Sequence, residues 1–374
     1  MTVLLPVLPL PWLTRAEAPL TCEIDVVNEH GEHLKVAIPA ERALTVYVDK
    51  RELVTLMTLG AHPEWLVLGY LRNQRLVRSV HDIESITVDW DVGAAAVKTR
   101  HGIDDIEEKT ARRVVTTGCG QGSVFGGLMD EVDQLRLPPH AALSQGQLYS
   151  LVNTIRLKET TYKSAGSVHA CALFDTGTPE PDMLLFVEDV GRHNAIDTIA
   201  GWMWMHRGPA LVASRTSLPP EGAVGRGSEP ANAGLGGLQR GCDTQPGGLQ
   251  GLRLRPGPST SSGQAKAGSA APACEDGTAA PGASPTNIGS ERHVFYTTGR
   301  LTSEMVIKSA QMGVAIVVSR SGITQMGHQV AQSVGLCAIG RATNKRFVCY
   351  ASPERLQMEP HLAHRAETMA PSLG

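Results

Sequence analysis

Between residues 294 and 350 short apolar runs alternate with amphipathic stretches, and no other feature constrains the fold of this chain as tightly. Residues 294–296 read as a strand, 302–312 as a helix, 315–318 as a strand, 324–334 as a helix, and 336–339 as a strand paired with 347–350. Such alternation implies parallel strands joined by right-handed crossovers, with helices on the sheet faces. Ligands of these sheets bind outside the carboxyl ends of the strands. The loops at 297–303, 319–322 and 340–346 are therefore where chemistry is expected.

Upstream, Ser144 and Gln147 form a capping box, and Leu148, Leu151, Val152 and Ile155 follow at helical spacing as a core-facing stripe. The apolar runs 168–174 and 183–187 flank Asp175-Thr176-Gly177 and are expected to be a pair of central strands. After them comes Glu188-Asp189-Val190-Gly191-Arg192-His193-Asn194-Ala195-Ile196-Asp197, leading into a helix that carries Ile199, Trp202 and Met203. The N-terminal part reads as α+β. Two short strands at 22–27 and 35–38 join at Glu29-His30-Gly31, and a hairpin at 44–48 and 53–57 turns at Asp49-Lys50-Arg51-Glu52. A helix starts near His62 with Pro63 in its first turn and Trp65, Leu66 and Leu68 facing inward. Ile86, Val88, Trp90 and Val92 alternate with polar residues as one half-buried strand. Nothing in this part demands chemistry.

Composition changes sharply after the helix near Met205. From there to Val294 no Phe, Tyr or Trp occurs, and Gly, Pro, Ser and Ala dominate. Such a segment buries too little apolar surface to offset its ordering entropy. The resulting organisation is a flexible N-terminus at 1–20, an α+β N-terminal subdomain at 21–110, and an α/β domain from 111–217 and 291–358. A disordered insertion at 218–290 loops out of that domain, and a flexible C-terminus follows at 359–374. A net charge of −3 leaves no basic footprint for nucleic acid. Seven scattered cysteines without a CxxC pair argue against a zinc ribbon or disulfide framework and for a reducing compartment. With no long uncharged apolar segment and a proline-broken start, the chain is expected to be cytoplasmic and off the membrane.

Val114-Val115-Thr116-Thr117 reads as a strand that breaks into Gly118-Cys119-Gly120-Gln121-Gly122, a cysteine among three glycines. Glycines there let the backbone turn sharply and keep the sulfur approachable. One reading is a reactive thiol; the other is a tight turn that holds a small residue. Two further polar sets lie at strand ends. His169 stands on one strand, with Asp189, Arg192, His193 and Asn194 after the next. Thr297, Thr298, Arg300, Thr302 and Ser303 open a helix whose free N–H groups suit a phosphate. Arg341, Lys345 and Arg346 add positive charge at the last turn. Plainer readings stand beside these: Asp189 paired with Arg192, His193 capping the helix start, and a solvated basic hairpin. A zinc deaminase needs H-x-E and P-C-x-x-C; His193-Asn194-Ala195 lacks the glutamate, so no metal is expected to be held by the protein. A cysteine hydrolase needs a histidine base beside Cys119, and His169 or His193 would serve.

Taken together, Thr117-Gly118-Cys119-Gly120, Gly166-Ser167-Val168-His169-Ala170, the 188–197 block and Thr298-Gly299-Arg300-Leu301-Thr302-Ser303-Glu304-Met305-Val306 occur in an order that resembles the formate dehydrogenase accessory sulfurtransferases, FdhD. The resemblance runs from about 44 to 356 with the insertion removed, and the 188–197 block is its most specific part. It implies a cytoplasmic homodimer whose catalytic domain is cytidine deaminase-like without a zinc site. It implies sulfur taken as a persulfide from a cysteine desulfurase and passed to the molybdenum cofactor, a bis-molybdopterin guanine dinucleotide, before the cofactor enters formate dehydrogenase.

By the resemblance Cys119 is the persulfide cysteine. Many relatives carry a second cysteine three positions on; Gly122 stands there in this chain. One thiol can both accept and donate sulfane sulfur, so the carrier reading survives. The family's cofactor-binding turn maps onto Ala342, Thr343, Asn344, Lys345, Arg346 and Phe347, and Arg300 and Thr302 are further expected contacts. A reading from another class is a chaperone that delivers the cofactor without sulfur chemistry.

Overall fold

A computed structural model of the chain describes residues 9–103, 114–115, 122–123, 135–158, 160–206 and 290–363. All of them belong to one compact unit. In chain order the strands of the N-terminal part are β1 (Trp12–Leu13), β2 (Thr21–Val27), β3 (His33–Pro39), β4 (Arg42–Val48), β5 (Arg51–Thr58), β6 (Ile83–Asp89) and β7 (Ala94–Thr99), with helix α1 (Pro63–Asn73) between β5 and β6. There follow β8 (Val114–Val115), β9 (Gly122–Ser123), β10 (Leu143–Ser144), α2 (Gln145–Leu157), α3 (Thr161–Ala165), β11 (His169–Asp175), β12 (Asp182–Asp189) and α4 (Arg192–Met205). The C-terminal part holds β13 (His293–Thr297), α5 (Ser303–Gln311), β14 (Ile316–Ser319), α6 (Gln325–Val334), β15 (Cys337–Thr343), β16 (Arg346–Ala351), β17 (Leu356–Gln357) and α7 (Pro360–Ala363). No helix among the described residues is long and apolar enough to cross a membrane.

The larger sheet has six strands in the order β12-β11-β13-β14-β15-β16. Its centre, β13-β14-β15, is parallel, as the strand–helix alternation predicts, and β11, β12 and β16 run antiparallel to their neighbours. All four residues of β14 are buried, the mark of a strand covered on both faces. Successive residues feed two cores. Cys171, Leu173, Phe295, Val317 and Ala338 belong to the first, and Ala172, Phe174, Val294, Ile316 and Cys337 to the second. The predicted capping box at Ser144 and Gln147 is formed. Leu148, Leu151 and Val152 sink into the second core with Ile155 beside them, each full burial of a leucine contributing about 2 kcal/mol.

The smaller sheet, in the order β1-β6-β7-β4-β5, shares the first core with α1, α4 and one face of the larger sheet. The 21–110 part thus differs from the α/β part in its sheet and is joined to it by common packing. Both predicted N-terminal hairpins form, β2 with β3 and β4 with β5.

Five expectations need correcting. Within the N-terminus read as flexible, Trp12 and Leu13 pair with β6, and Glu64 accepts from Thr14 Oγ1 and from Ala16 N at 2.9 Å, which ties the lead-in down. At the other end, the Glu359 carboxylate takes the Gly146 N–H at the start of α2, and α7 follows. The strand read through Val92 stops at Asp89, because a turn closes from Gly93 N to Trp90 O and leaves Val92 73% exposed. β12 is an edge strand rather than a central one, with Asp182 exposed at its start. And α1 is buried nearly all round, with Trp65 on its more exposed side, because it lies between α4 and the smaller sheet.

The 218–290 insertion lies outside the described residues except for Ser290, and with it Cys242 and Cys274. Cys119 lies outside them too. The paired β8 and β9, with Val115 opposite Gly122, flank it in sequence and form a two-stranded sheet of their own.

Candidate functional site

Polar residues gather where the first core meets one edge of the larger sheet. There β13 and β14 end at Thr297 and Ser319, β12 ends at Asp189, and β11 begins at His169. A cavity of about 520 Å³ opens at this edge. Its wall includes His169, Gly191, Arg192, His193, Asn194 and Arg300, together with Glu41, Thr55 and Met57 from the smaller sheet and the chain just before it.

The loop after β13 is built from backbone and hydroxyl contacts. Thr298 and Ala170 exchange bonds of 2.9 and 3.0 Å, Gly299 N donates to Thr297 Oγ1 at 3.1 Å, and Ser319 Oγ donates to Gly299 O at 2.7 Å. A Cβ on Gly299 would stand 2.8 Å from Arg192 Cδ. The glycine is therefore what lets the Arg192 stem lie across this loop. Gly299→Ala is expected to displace that guanidinium from the loop, as a crystal structure of the variant would show.

Asp189 holds the other side. Its carboxylate accepts from Thr58 Oγ1, from Asn194 Nδ2 at 2.9 Å, from Gly191 N at 3.2 Å and from Leu59 N at 3.4 Å. Asn194 also donates to Met57 O at 2.6 Å, tying the end of β5 to the start of α4. Burial pushes the Asp189 carboxyl up to about 6, against these four bonds, which favour the charged form.

Behind the wall lies a buried chain of charges. Lys308 Nζ sits 2.9 Å from Asp197 Oδ2 and 3.3 Å from Glu304 Oε1, and Asn73 Nδ2 donates to Asp197 Oδ1 at 2.7 Å. Glu304 Oε2 is 3.5 Å from His193 Nε2. Burial pulls the His193 imidazole down to about 3, so at neutral pH this contact joins a carboxylate to a neutral ring rather than forming an ion pair. His193 is the second residue of α4, whose N-cap is Gly191, and it faces Glu304 rather than capping the helix. His169 is held low by burial and by the charges of Arg192 and Arg300. Two guanidiniums beside neutral imidazoles favour an anionic ligand such as a phosphate.

The structure brings Arg300 together with Arg192, His169 and His193 in one wall. Thr302 does not line the cavity; it is the N-cap of α5 without a side-chain cap bond, and its Oγ1 is buried. The 342–347 turn stands beside the cavity rather than in its wall. Ala342 is buried in the second core, Phe347 packs there with its ring 6.2 Å from Tyr149, and Thr343, Asn344, Lys345 and Arg346 are exposed. Arg341 N donates to Ser321 O at 2.7 Å, and Ser321 lines the cavity. Sequence reading assigned the N-terminal part no chemistry and so missed Glu41, Thr55 and Met57. The buried chain was missed as well; the i, i+4 spacing of Glu304 and Lys308 is the one sequence signal that could have pointed to it. No group of three or more His, Cys, Asp or Glu residues able to hold a metal occurs among the described residues.

The chain is similar to proteins named sulfur carrier protein FdhD: 25% identical over 337 residues to that of Bacillus subtilis, covering 88% of this chain and 94% of the relative, and 24% identical over 324 residues to that of Bacillus licheniformis, covering 85% and 89%. Its fold is similar to a crystal structure from Desulfotalea psychrophila described as a formate dehydrogenase accessory protein, at a TM-score of 0.55 and 17% identity, covering 90% of this chain and all of that one. The family profile described as FdhD/NarQ matches residues 39–218 and 282–357, which takes in both strand-end blocks of the cavity and the sheet that carries them. By the extent of that match, this chain belongs to the FdhD/NarQ family.

Proposed function

We propose that this chain is a sulfur carrier acting in the maturation of formate dehydrogenase. One observation carries the reading: three of the blocks on which the family resemblance rests, 166–170, 188–197 and 298–306, meet around one cavity, with His169, Arg192, His193 and Arg300 in its wall. In this reading Cys119 is the working thiol. Its thiolate attacks the terminal sulfur of a cysteine desulfurase persulfide, the desulfurase leaves as thiolate, and Cys119 becomes the persulfide. The outer sulfur then passes to a two-electron-reduced acceptor, which supplies the electron pair that brings it to the sulfide level as the S–S bond breaks, and the Cys119 thiolate returns.

The acceptor in this proposal is the molybdenum cofactor, as bis-molybdopterin guanine dinucleotide, bound as substrate. The cavity suits its phosphates, because Arg192 and Arg300 supply charge and bidentate donors. Ala342, Thr343, Asn344, Lys345, Arg346, Phe347 and Thr302 belong to the proposed binding surface around it. The cytidine deaminase-like assignment, the homodimer, the cytoplasmic location and the looping-out of residues 218–290 form part of the same proposal. Support for the first comes from the mixed sheet with its parallel centre and from the polar loops that line the cavity at the strand ends.

Incubation with desulfurase and cysteine is expected to make the Cys119 peptide one sulfur heavier by mass spectrometry, and Cys119→Ala is expected to abolish both loading and formate dehydrogenase activation. Sulfur on a different cysteine, or full activity in Cys119→Ala, would sink the proposal. Full activity in Cys119→Ala with loss in Arg300→Ala would point instead to a delivery chaperone without sulfur chemistry.

A further inference from the structure

The second core, on the sheet face away from α4, holds two thiols that this chemistry leaves unused. Cys337 on β15 and Cys349 on β16 approach to 3.9 Å between their Sγ atoms, and both are free. The strand register brings them together. Ala338 pairs with Ala351 and Ile339 with Cys349, so Tyr350 is an extra residue in β16. A bulge of this kind bends its strand and raises the local twist. Tyr350 turns to the first core, while Cys337 and Cys349 meet diagonally on the second.

The two thiols differ in environment. Cys337 is fully buried, whereas Cys349 is half-buried on the edge strand of the sheet. The contact with Cys337 holds the Cys349 thiol below its ordinary value, and the same contact together with burial pushes Cys337 up. A reachable thiol backed by a buried one is how thiol–disulfide exchange centres are arranged: the first attacks and the second resolves.

We propose that Cys337 and Cys349 form a dithiol–disulfide exchange site whose substrate class is a low-molecular-weight disulfide. With glutathione disulfide, the Cys349 thiolate attacks one sulfur, forms the mixed disulfide and releases one glutathione thiolate. Cys337 then attacks Cys349 Sγ, the Cys337–Cys349 bond forms, and the second glutathione leaves. The two cysteines lose two electrons and two protons, and glutathione disulfide gains both as two glutathione thiols. The sulfurs must close to about 2.05 Å. β16 is hydrogen-bonded to a neighbouring strand on one side only and so can take up the shift. The bond would tie together the two arms of the hairpin that carries the 342–347 turn. This site does not depend on the sulfur-carrier reading.

The test incubates the folded full-length chain with glutathione disulfide, alkylates the remaining thiols and maps peptides by mass spectrometry. The expected product is a Cys337–Cys349 cross-linked peptide, lost on treatment with dithiothreitol. Cys337→Ser should retain one glutathione on Cys349, and Cys349→Ser should leave Cys337 unmodified. No cross-link in the folded wild-type chain, a glutathione adduct that persists on its Cys349, or a cross-link formed only after denaturation would each overturn the proposal, whatever the two variants do.

Discussion

Gly201→Ala is expected to destabilise the protein by more than about 3 kcal/mol, beyond the usual range for an added methyl in a packed core. Helices α1 and α4 cross with Gly69 facing Gly201. A Cβ on Gly201 would sit 2.0 Å from Trp65 O and 2.9 Å from Gly69 N, and one on Gly69 would sit 1.7 Å from Asp197 O. These neighbours are backbone atoms inside helices, so no rotamer change relieves the clash. The helices must move apart, and with them the smaller sheet and the larger one, since α1 and α4 lie in the core the two share. Gly31→Ala is the matching control. Gly31 has φ +80 with open space around it, so its substitution should cost only about 1 kcal/mol of backbone strain. Urea denaturation of the two variants checks both values. A Gly201→Ala midpoint close to wild type would show that the crossing is looser than the structure has it.

Lys308→Met should cost about 3–5 kcal/mol, the range for removing one partner of a buried ionic pair. Lys308 is 1% exposed and is the cation between Asp197, at 0%, and Glu304. In the native protein burial disfavours the Lys308 charge, but the two carboxylates outweigh it and raise its pKa, while Lys308 brings Glu304 below its ordinary value despite burial. A carboxylate lowered in this way contributes stability above its unfolded pKa, near 4.5, and that contribution disappears as pH falls through the folded value. Without Lys308 the sign reverses for Glu304, while Asp197, which burial already raises in the native protein, rises further. Both carboxyls would then take up protons more readily folded than unfolded, so the variant should lose stability as pH rises and be least affected in acid. Denaturation at pH 5 and pH 8 measures this, and a deficit that is the same at both would refute the charge argument. Asp197→Asn in the Lys308→Met background should restore part of the loss.

Much of this was legible from local signals. The parallel centre of the larger sheet follows from alternating apolar runs and helices, because parallel strands need crossovers of that length. The start of α2 follows from Ser144 and Gln147, whose side chains take each other's backbone N–H groups. The β4–β5 hairpin follows from its pattern, and Asp49 and Lys50 do take positive φ at its turn. Errors fell where the neighbour across space decides. Trp12 and Leu13 carry no strand signal strong enough to outweigh the prolines around them, yet β6 offers them an edge. Trp90 continues the alternation of β6 by pattern, but its indole bonds to Ala16 O and the chain turns there.

The same division holds at the cavity. By itself the sequence determined which residues stand at strand ends, because turn chemistry and periodicity are local: Arg300 after β13, Arg192 and His193 after β12, His169 at the start of β11. Only the tertiary structure decided which strand ends meet, that the 342–347 turn stands beside the wall rather than in it, and that Thr55 and Met57 of the smaller sheet, with Glu41 just before it, close the cavity. It also paired Cys337 with Cys349 across a bulge and set Lys308 between Asp197 and Glu304. The physical reason is one of range. Periodicity and capping are settled within a few residues, whereas the smaller sheet reaches Asp189 and Lys308 reaches Asp197 across more than 100 residues, and the thiol pair depends on a one-residue slip in register that no pattern of hydrophobicity records.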